Sequence, residues 1–280
     1  MTNLARRYAG FSVENTGGNP AGVMIVNNEL SDAEMLSIAK KIGDSETVFA
    51  VPKGENRFAI RYFAPEAEVD FCGHATVALG KAIKDDFGNG QYYLESNKGT
   101  LALVVDDSGE IYFSSPKTSS RELSRKELDF LIANSSIQQA DISQHLTPSM
   151  VNAGNNHALI VVNNADALAN FEYDYDALQP WMRENKVVTF AVAAGEKNGD
   201  IRVRNAFAFG GVYEDPATGA AAAAISGFLR DNGLFTGDNL VFRQGEEMGQ
   251  ACLLKTHFSD QAGSEIRVGG NAYFIGNVVL

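Results

Sequence analysis

A chain of 280 residues with 23 lysines and arginines against 35 aspartates and glutamates carries a formal charge of −12. It has no basic surface for a phosphate backbone, so no nucleic-acid partner is expected. Its 45% hydrophobic content is that of a folded globular protein, and no apolar run approaches the roughly 20 residues that span a bilayer, so no membrane partner is expected either.

Short runs rich in β-branched and aromatic residues predict strands at Gly22–Val26, Thr47–Val51, Arg57–Phe63, Gln91–Glu95, Thr100–Val105 and Glu110–Phe113. Within Arg57–Phe63, Phe58, Ile60 and Tyr62 alternate with Arg57, Ala59 and Arg61, which marks one buried face. The second half offers Ala158–Val162, Val187–Ala193, Ile201–Ala208, Leu240–Arg243 and Ala272–Leu280. Capping boxes open two surface helices, at Ser31-x-x-Glu34 and Ser124-x-x-Glu127, each followed by apolar residues at helical spacing. Two other helices, after Gly73 and after Gly219, are apolar almost all round and therefore belong inside a domain. The stretches that precede them, Arg61-Tyr-Phe-Ala-Pro and Arg204-Asn-Ala-Phe-Ala, suggest an internal repeat. The expectation is an α+β chain of two similar halves, each a curled, barrel-like sheet around a central helix. The halves are residues 1–115 with about 266–280, and residues 120–265, with the polar stretch Ser114–Leu123 as linker.

No secretory leader pattern follows Arg6 and Arg7, and Cys72 and Cys252 are the only cysteines, so a cytoplasmic protein without a disulfide framework is expected. Four scattered histidines lack paired zinc-site spacing, and neither a dinucleotide fingerprint, a phosphate loop nor a serine elbow is present. No metal and no organic cofactor is expected. The candidates for chemistry lie beside the two apolar helices. Each start reads either as a closely packed helix cap or as a site for a carboxylate, with unpaired backbone N–H groups, about half a positive charge and a glycine, Gly73 or Gly219, that would let a ligand approach closely. Glu46, in Ser45-Glu-Thr-Val, reads either as a solvated strand-end residue or as a desolvated carboxylate that moves one proton. His74 reads as a neutral hydrogen-bonding group. Asp215, before Pro216, reads as a turn and cap residue or as a substrate contact, and Cys72 as a buried structural thiol or one activated by the helix end.

Several segments together resemble the PhzF-like family, phenazine-biosynthesis-type isomerases related to diaminopimelate epimerase. They are Gly18-Asn-Pro-Ala-Gly-Val23, Ser45-Glu-Thr-Val-Phe49, Arg61-Tyr-Phe-Ala-Pro65, Val69-Asp-Phe-Cys-Gly-His-Ala-Thr76 and Glu214-Asp-Pro-Ala-Thr-Gly-Ala220, with Gln244–Gly249 and Val268-Gly-Gly270 as closing motifs. The resemblance implies a proton-shuttling, cofactor-independent isomerase with its active site between the halves. It implies Glu46 as general acid and base, His74 and Asp215 as its catalytic companions, and Asn19, Ser45, Gly73, Gly219 and Ala220 as substrate contacts. A small carboxylate-bearing substrate and a homodimer are implied as well.

Two departures bear on substrate. Ala220 stands where the family often has serine, and Met248-Gly-Gln-Ala-Cys252 replaces a pattern with an arginine at the position of Gln250. Epimerase relatives use a thiol at the start of each central helix; Cys72 matches the first and Ala220 is set against the second, which leaves single-base chemistry. The rival readings are a two-base epimerase or racemase using Glu46 with Cys72 or Asp215, and a catalytically lapsed binding protein.

Overall fold

The computed structural model describes residues 4–197 and 199–280 and divides into two units, Met1–Ser114 with Gly269–Leu280, and Ser115–Val268. The first unit contains strands β1 (Leu4–Ser12), β2 (Asn19–Ile25), β3 (Thr47–Gly54), β4 (Arg57–Phe63), β5 (Glu68–Val69), β6 (Gly90–Ser96), β7 (Gly99–Val105) and β8 (Ile111–Ser114). Helix α1 (Asp32–Ile42) joins β2 to β3, and α2 (Gly73–Phe87) joins β5 to β6. Pairing runs C-terminal strand (Arg267–Val279), β1, β2, β3, β4, β6, β7, β8 and back to the C-terminal strand, closing an eight-stranded barrel. Such closure leaves no unpaired edge. Helix α2 packs against β1, β2, β3, β7 and β8 with Ala75, Val77, Ala78, Leu79, Ala82 and Ile83 buried, so it fills the barrel. Ala is the residue that lets strand and helix backbones approach. By contrast α1 is amphipathic and lies outside, with Met35 and Ala39 packed on Met24, Phe49 and Phe63.

The second unit repeats this plan. Its strands are β9 (Ser119–Glu122), β10 (Ser149–Asn152), β11 (Asn156–Val161), β12 (Val187–Gly195), β13 (Ile201–Ala206), β14 (Glu214–Asp215), β15 (Asn239–Gln244) and β16 (Cys252–His257). Its helices are α3 (Arg125–Ala133), α4 (Ala165–Ala169), α5 (Tyr175–Asn185) and the buried α6 (Gly219–Asp231). The order β9, β10, β11, β12, β13, β15, β16 reproduces that of the C-terminal strand, β1, β2, β3, β4, β6 and β7, including the parallel pairs β11–β12 and β13–β15. An aromatic and aliphatic core of Phe171, Phe190, Leu178, Met182 and Leu131 packs between the sheet and the outer helices.

The repeat extends to side chains. In the first unit Arg61 is bound by Glu68, and β4 pairs with β5 through Phe63↔Glu68. In the second, Arg204 is bound by Glu214, and β13 pairs with β14 through Ala206↔Glu214. From each glutamate four residues lead to the cap of the buried helix, Cys72 before α2 and Thr218 before α6.

Differences from expectation have identifiable physical causes. Strand β1 escapes the pattern because its two charges are neutralised by distant partners, Arg6 by Asp86 and Arg7 by Asp44. The stretch Ser114–Leu123 is not wholly a linker: its polar residues Ser119–Glu122 form β9, held by pairing with β10. Helix α5 carries an internal Pro180 and is stabilised by the Asp174 cap and by burial of Leu178 and Met182. No helix among the described residues is long and apolar enough to cross a membrane.

Candidate active site

Glu46 is placed by the way α1 ends. Gly43 takes φ 76°, a left-handed conformation open to glycine at little cost, and its N–H closes the helix on the Ala39 carbonyl. Asp44, buried, is then held bidentately by one guanidinium edge of Arg7 from β1, with Nε donating to Oδ2 at 2.8 Å and Nη2 to Oδ1; the same pair raises the Arg7 pKa. Glu46 follows at the threshold of β3, its carbonyl accepting the Gly22 N–H at 3.1 Å. Loop and carboxylate are thus fixed by main chain on one side and an ion pair on the other.

His74 sits in the first turn of α2, buried, where β1 crosses the helix at Gly10 so closely that a Cβ there would overlap the His74 carbonyl oxygen. Asn19, at the start of β2, brings Nδ2 to 3.2 Å from His74 Nδ1. An amide N–H can only donate, so with this amide orientation Nδ1 is the acceptor and the ring proton resides on Nε2. Nε2 faces Ser45 Oγ at 3.2 Å and Glu46 Oε2 at 3.3 Å. Glu46 is intermediate, its side chain 21% accessible, yet Oε2 itself is shielded and has no hydrogen-bond partner among the described residues; the approach to His74 lacks hydrogen-bond geometry. Cys72 Sγ lies 3.3 Å from His74 Nδ1 and 3.7 Å from Nε2. One turn further in, Tyr62 hydrogen-bonds Thr76 Oγ1 at 2.7 Å, and burial pushes its phenol pKa up.

The helix ends themselves are informative. Ser31, Ser124, Asn164 and Asp174 cap α1, α3, α4 and α5 through their side chains. Helices α2 and α6 have no side-chain cap, although α2 begins among buried residues. Orphan amide groups at such an end are left for a ligand or for water.

Of the residues singled out in the sequence, Asn19, Ser45, Glu46, Gly73 and His74 are brought together at the start of α2. Asp215, Gly219 and Ala220 lie in the second unit, at the start of α6. There Asp215 accepts from the Ala217 N–H at 3.3 Å and the Thr218 hydroxyl at 2.7 Å, and Gln244 braces Thr218 by donating to its Oγ1 at 3.0 Å and accepting its N–H at 3.1 Å. Sequence reasoning missed Arg7, Asp44, Thr218 and Gln244. Thr218 and Gln244 stand inside recognised motifs and Asp44 lies two residues before Glu46, but no role was read for any of them. It also set Ala220 against Cys72. The strand register instead matches Cys72 with Thr218 and His74 with Ala220, while Arg61 and Arg204 in β4 and β13 match Glu46 with Thr189. Neither correspondence supplies a second thiol. Glu46, Cys72 and His74 are also a possible metal donor set, their ligand atoms all within 4.8 Å of one another.

A family model described as phenazine biosynthesis-like protein matches residues 8–276. A protein of Clostridium acetobutylicum named as an uncharacterized isomerase is 27% identical, covering 95% of this chain and 93% of its own. Among solved structures, a phenazine biosynthesis protein of the PhzF family from Bacillus anthracis superposes with a TM-score of 0.86 at 22% identity over 99% of this chain and 98% of that one. A hydroxyproline epimerase from Agrobacterium vitis superposes with a TM-score of 0.67 at 11% identity, covering 98% and 91%, which extends the fold to the epimerases.

Proposed function

Because the chain belongs to the phenazine biosynthesis-like protein family, whose curated relatives carry the name isomerase, we propose that it is a cofactor-independent isomerase of a small carboxylate-bearing metabolite, with Glu46 as the single general acid and base. The observation that carries this reading is the shielded, unpartnered Glu46 Oε2 beside the uncapped start of α2. A carboxylate oxygen without a donor is a ready proton acceptor, and the neighbouring amide groups of Gly73, His74 and Ala75 are donors without a cap. The substrate carboxylate takes those amides, which brings its C–H bond to Glu46. Glu46 removes the proton and returns it to another atom of the same molecule. His74, with its proton on Nε2, donates toward the carboxylate and the developing negative charge, while Asn19 fixes the tautomer through Nδ1. Ser45 holds the ring on its Nε2 side. In the second unit, the start of α6 at Gly219 and Ala220 is likewise not capped by the Thr218 side chain and offers amides to an anion, with Asp215 beside it hydrogen-bonded to the Ala217 N–H and the Thr218 hydroxyl.

The repeat favours one base over two. The second-unit counterparts of Glu46, Cys72 and His74 are Thr189, Thr218 and Ala220, and none of them can accept a proton from carbon. A two-base racemase would exchange the substrate hydrogen with solvent deuterium from both faces, whereas the single-base reaction labels one face.

The test is a panel of small carboxylic acids incubated in deuterium oxide with wild type and Glu46→Gln, read by mass spectrometry and by thermal shift. General acid–base help amounts to about 10²–10⁴-fold, so the variant should lose turnover by that order and keep its ligand-induced stabilisation. Undiminished turnover by the variant rejects Glu46 as the base. Thermal stabilisation without product or label from any acid in the wild type favours a binding protein.

A further inference from the structure

We infer that Glu46, Cys72 and His74 form a binding site for a thiophilic divalent cation such as zinc, and that the ion acts there as an inhibitor and not as a cofactor. Three donor types converge, a thiol at the cap position of α2, an imidazole in its first turn and a carboxylate entering β3. With about 2.0–2.2 Å to nitrogen or oxygen and about 2.3 Å to sulfur, tetrahedral coordination places ligand atoms roughly 3.3–3.6 Å apart. His74 Nε2 is 3.3 Å from Glu46 Oε2 and 3.7 Å from Cys72 Sγ. The spacing therefore already approximates two edges of the tetrahedron. The shielded Glu46 Oε2, which has no hydrogen bond to give up, is the ligand least costly to engage.

Binding releases the Cys72 thiol proton to solvent, because the thiolate is the ligand, and neutral His74 moves its ring proton from Nε2 to Nδ1 so that Nε2 offers its lone pair. Thiolate and carboxylate together balance the dipositive ion, and the fourth position is taken by water. The ring must turn about its Cβ–Cγ bond to aim Nε2 at the ion, at the expense of the Asn19 and Ser45 contacts. Binding depends only on these three side chains. Inhibition follows additionally from the function proposed above, since the ion occupies the oxygen that accepts the proton.

The experiment uses the full, tag-free, reduced chain dialysed against zinc, with metal counted by mass spectrometry, and a parallel titration with cobalt followed by absorption. One ion per chain is expected, with a sulfur-to-cobalt charge-transfer band. Cys72→Ser should abolish the band and weaken binding by at least about 10–100-fold, the loss seen even for outer partners of metal ligands. Glu46→Gln should weaken binding comparably and keep the band, and it reports independently should Cys72→Ser fail to fold. Cys252→Ser should change neither. Absence of saturable binding at one ion per chain, or binding indifferent to both variants, overturns the site. Stoichiometric binding without inhibition of an identified turnover would retain the site and count against Glu46 as the base.

Discussion

His157 is wholly buried in β11 and has no room for a second proton. Its Nδ1–H donates to Thr189 Oγ1 at 2.7 Å, and the Thr189 hydroxyl spends its own hydrogen on Asn205 Oδ1 at 2.8 Å. Nε2 has no partner among the described residues, and burial pushes the imidazole pKa down to about 3. In the unfolded chain the same ring protonates near pH ~6.5. Between those values the unfolded state binds the extra proton and the native state does not. The contribution is therefore fully present above about pH 6.5 and is lost at about 1.4 kcal/mol per pH unit as pH falls toward the folded value. At pH 5 the loss reaches about 2 kcal/mol, a large share of ordinary domain stability. The chain's one tryptophan, Trp181 in α5, stacks on Phe130 in the second unit at 5.1 Å between ring centroids, so urea unfolding followed by its fluorescence reports the relevant unit. Wild type and His157→Gln should be compared at pH 7.5 and pH 5. The wild type should lose about 2 kcal/mol more than the variant over this interval. Equal losses would show that the ring accepts a proton without cost, and the burial argument would fail.

The duplicated Arg–Glu clasp makes a matched comparison. Arg204→Met strands Glu214 in the interior and removes the Arg204 donor from the carbonyls of Ala169 and Phe171, so a loss of about 3–5 kcal/mol in urea unfolding is expected. Arg61→Met, at a pair whose side chains are 31% and 35% accessible, should cost about 0–1 kcal/mol. Gly10→Ala forces β1 away from the first turn of α2, and should destabilise by about 1–3 kcal/mol in urea unfolding followed by circular dichroism. Arg7→Gln leaves the barrel intact by circular dichroism but releases Asp44 and the loop that carries Glu46; kcat should fall by up to about 10²-fold with KM little changed.

Most of the fold was legible because its signals are local. The capping boxes at Ser31 and Ser124 are both formed, and the helices apolar all round are the buried α2 and α6. Alternation in Arg57–Phe63 is that of β4, with Phe58, Ile60 and Tyr62 buried. What escaped depends on partners far along the chain. β1 contains two arginines whose carboxylates lie 80 and 37 residues away, and β9 has no buried residue at all. The first-unit site was legible as a set of residues but not as a geometry. Nothing in the local sequence tells that Asn19 sets the tautomer of His74, or that Arg7 anchors Asp44. The second helix start was placed correctly, but Ala220 was set against Cys72 two residues out of register; Gly73 and Gly219 already align Cys72 with Thr218, and the pairing of β13 with β14 gives the same register.

Helices α2 and α6 are not capped by the side chains of their own cap residues, Cys72 and Thr218, whereas the four outer α-helices are each closed from within their own sequence. On the function proposed above, a carboxylate solute would supply hydrogen-bond acceptors that those cap residues do not. The chain's resistance to unfolding should then climb with solute concentration, by about 2.7 kcal/mol at a hundredfold excess over Kd. A melting curve would register the preferred acid before any chemistry was known.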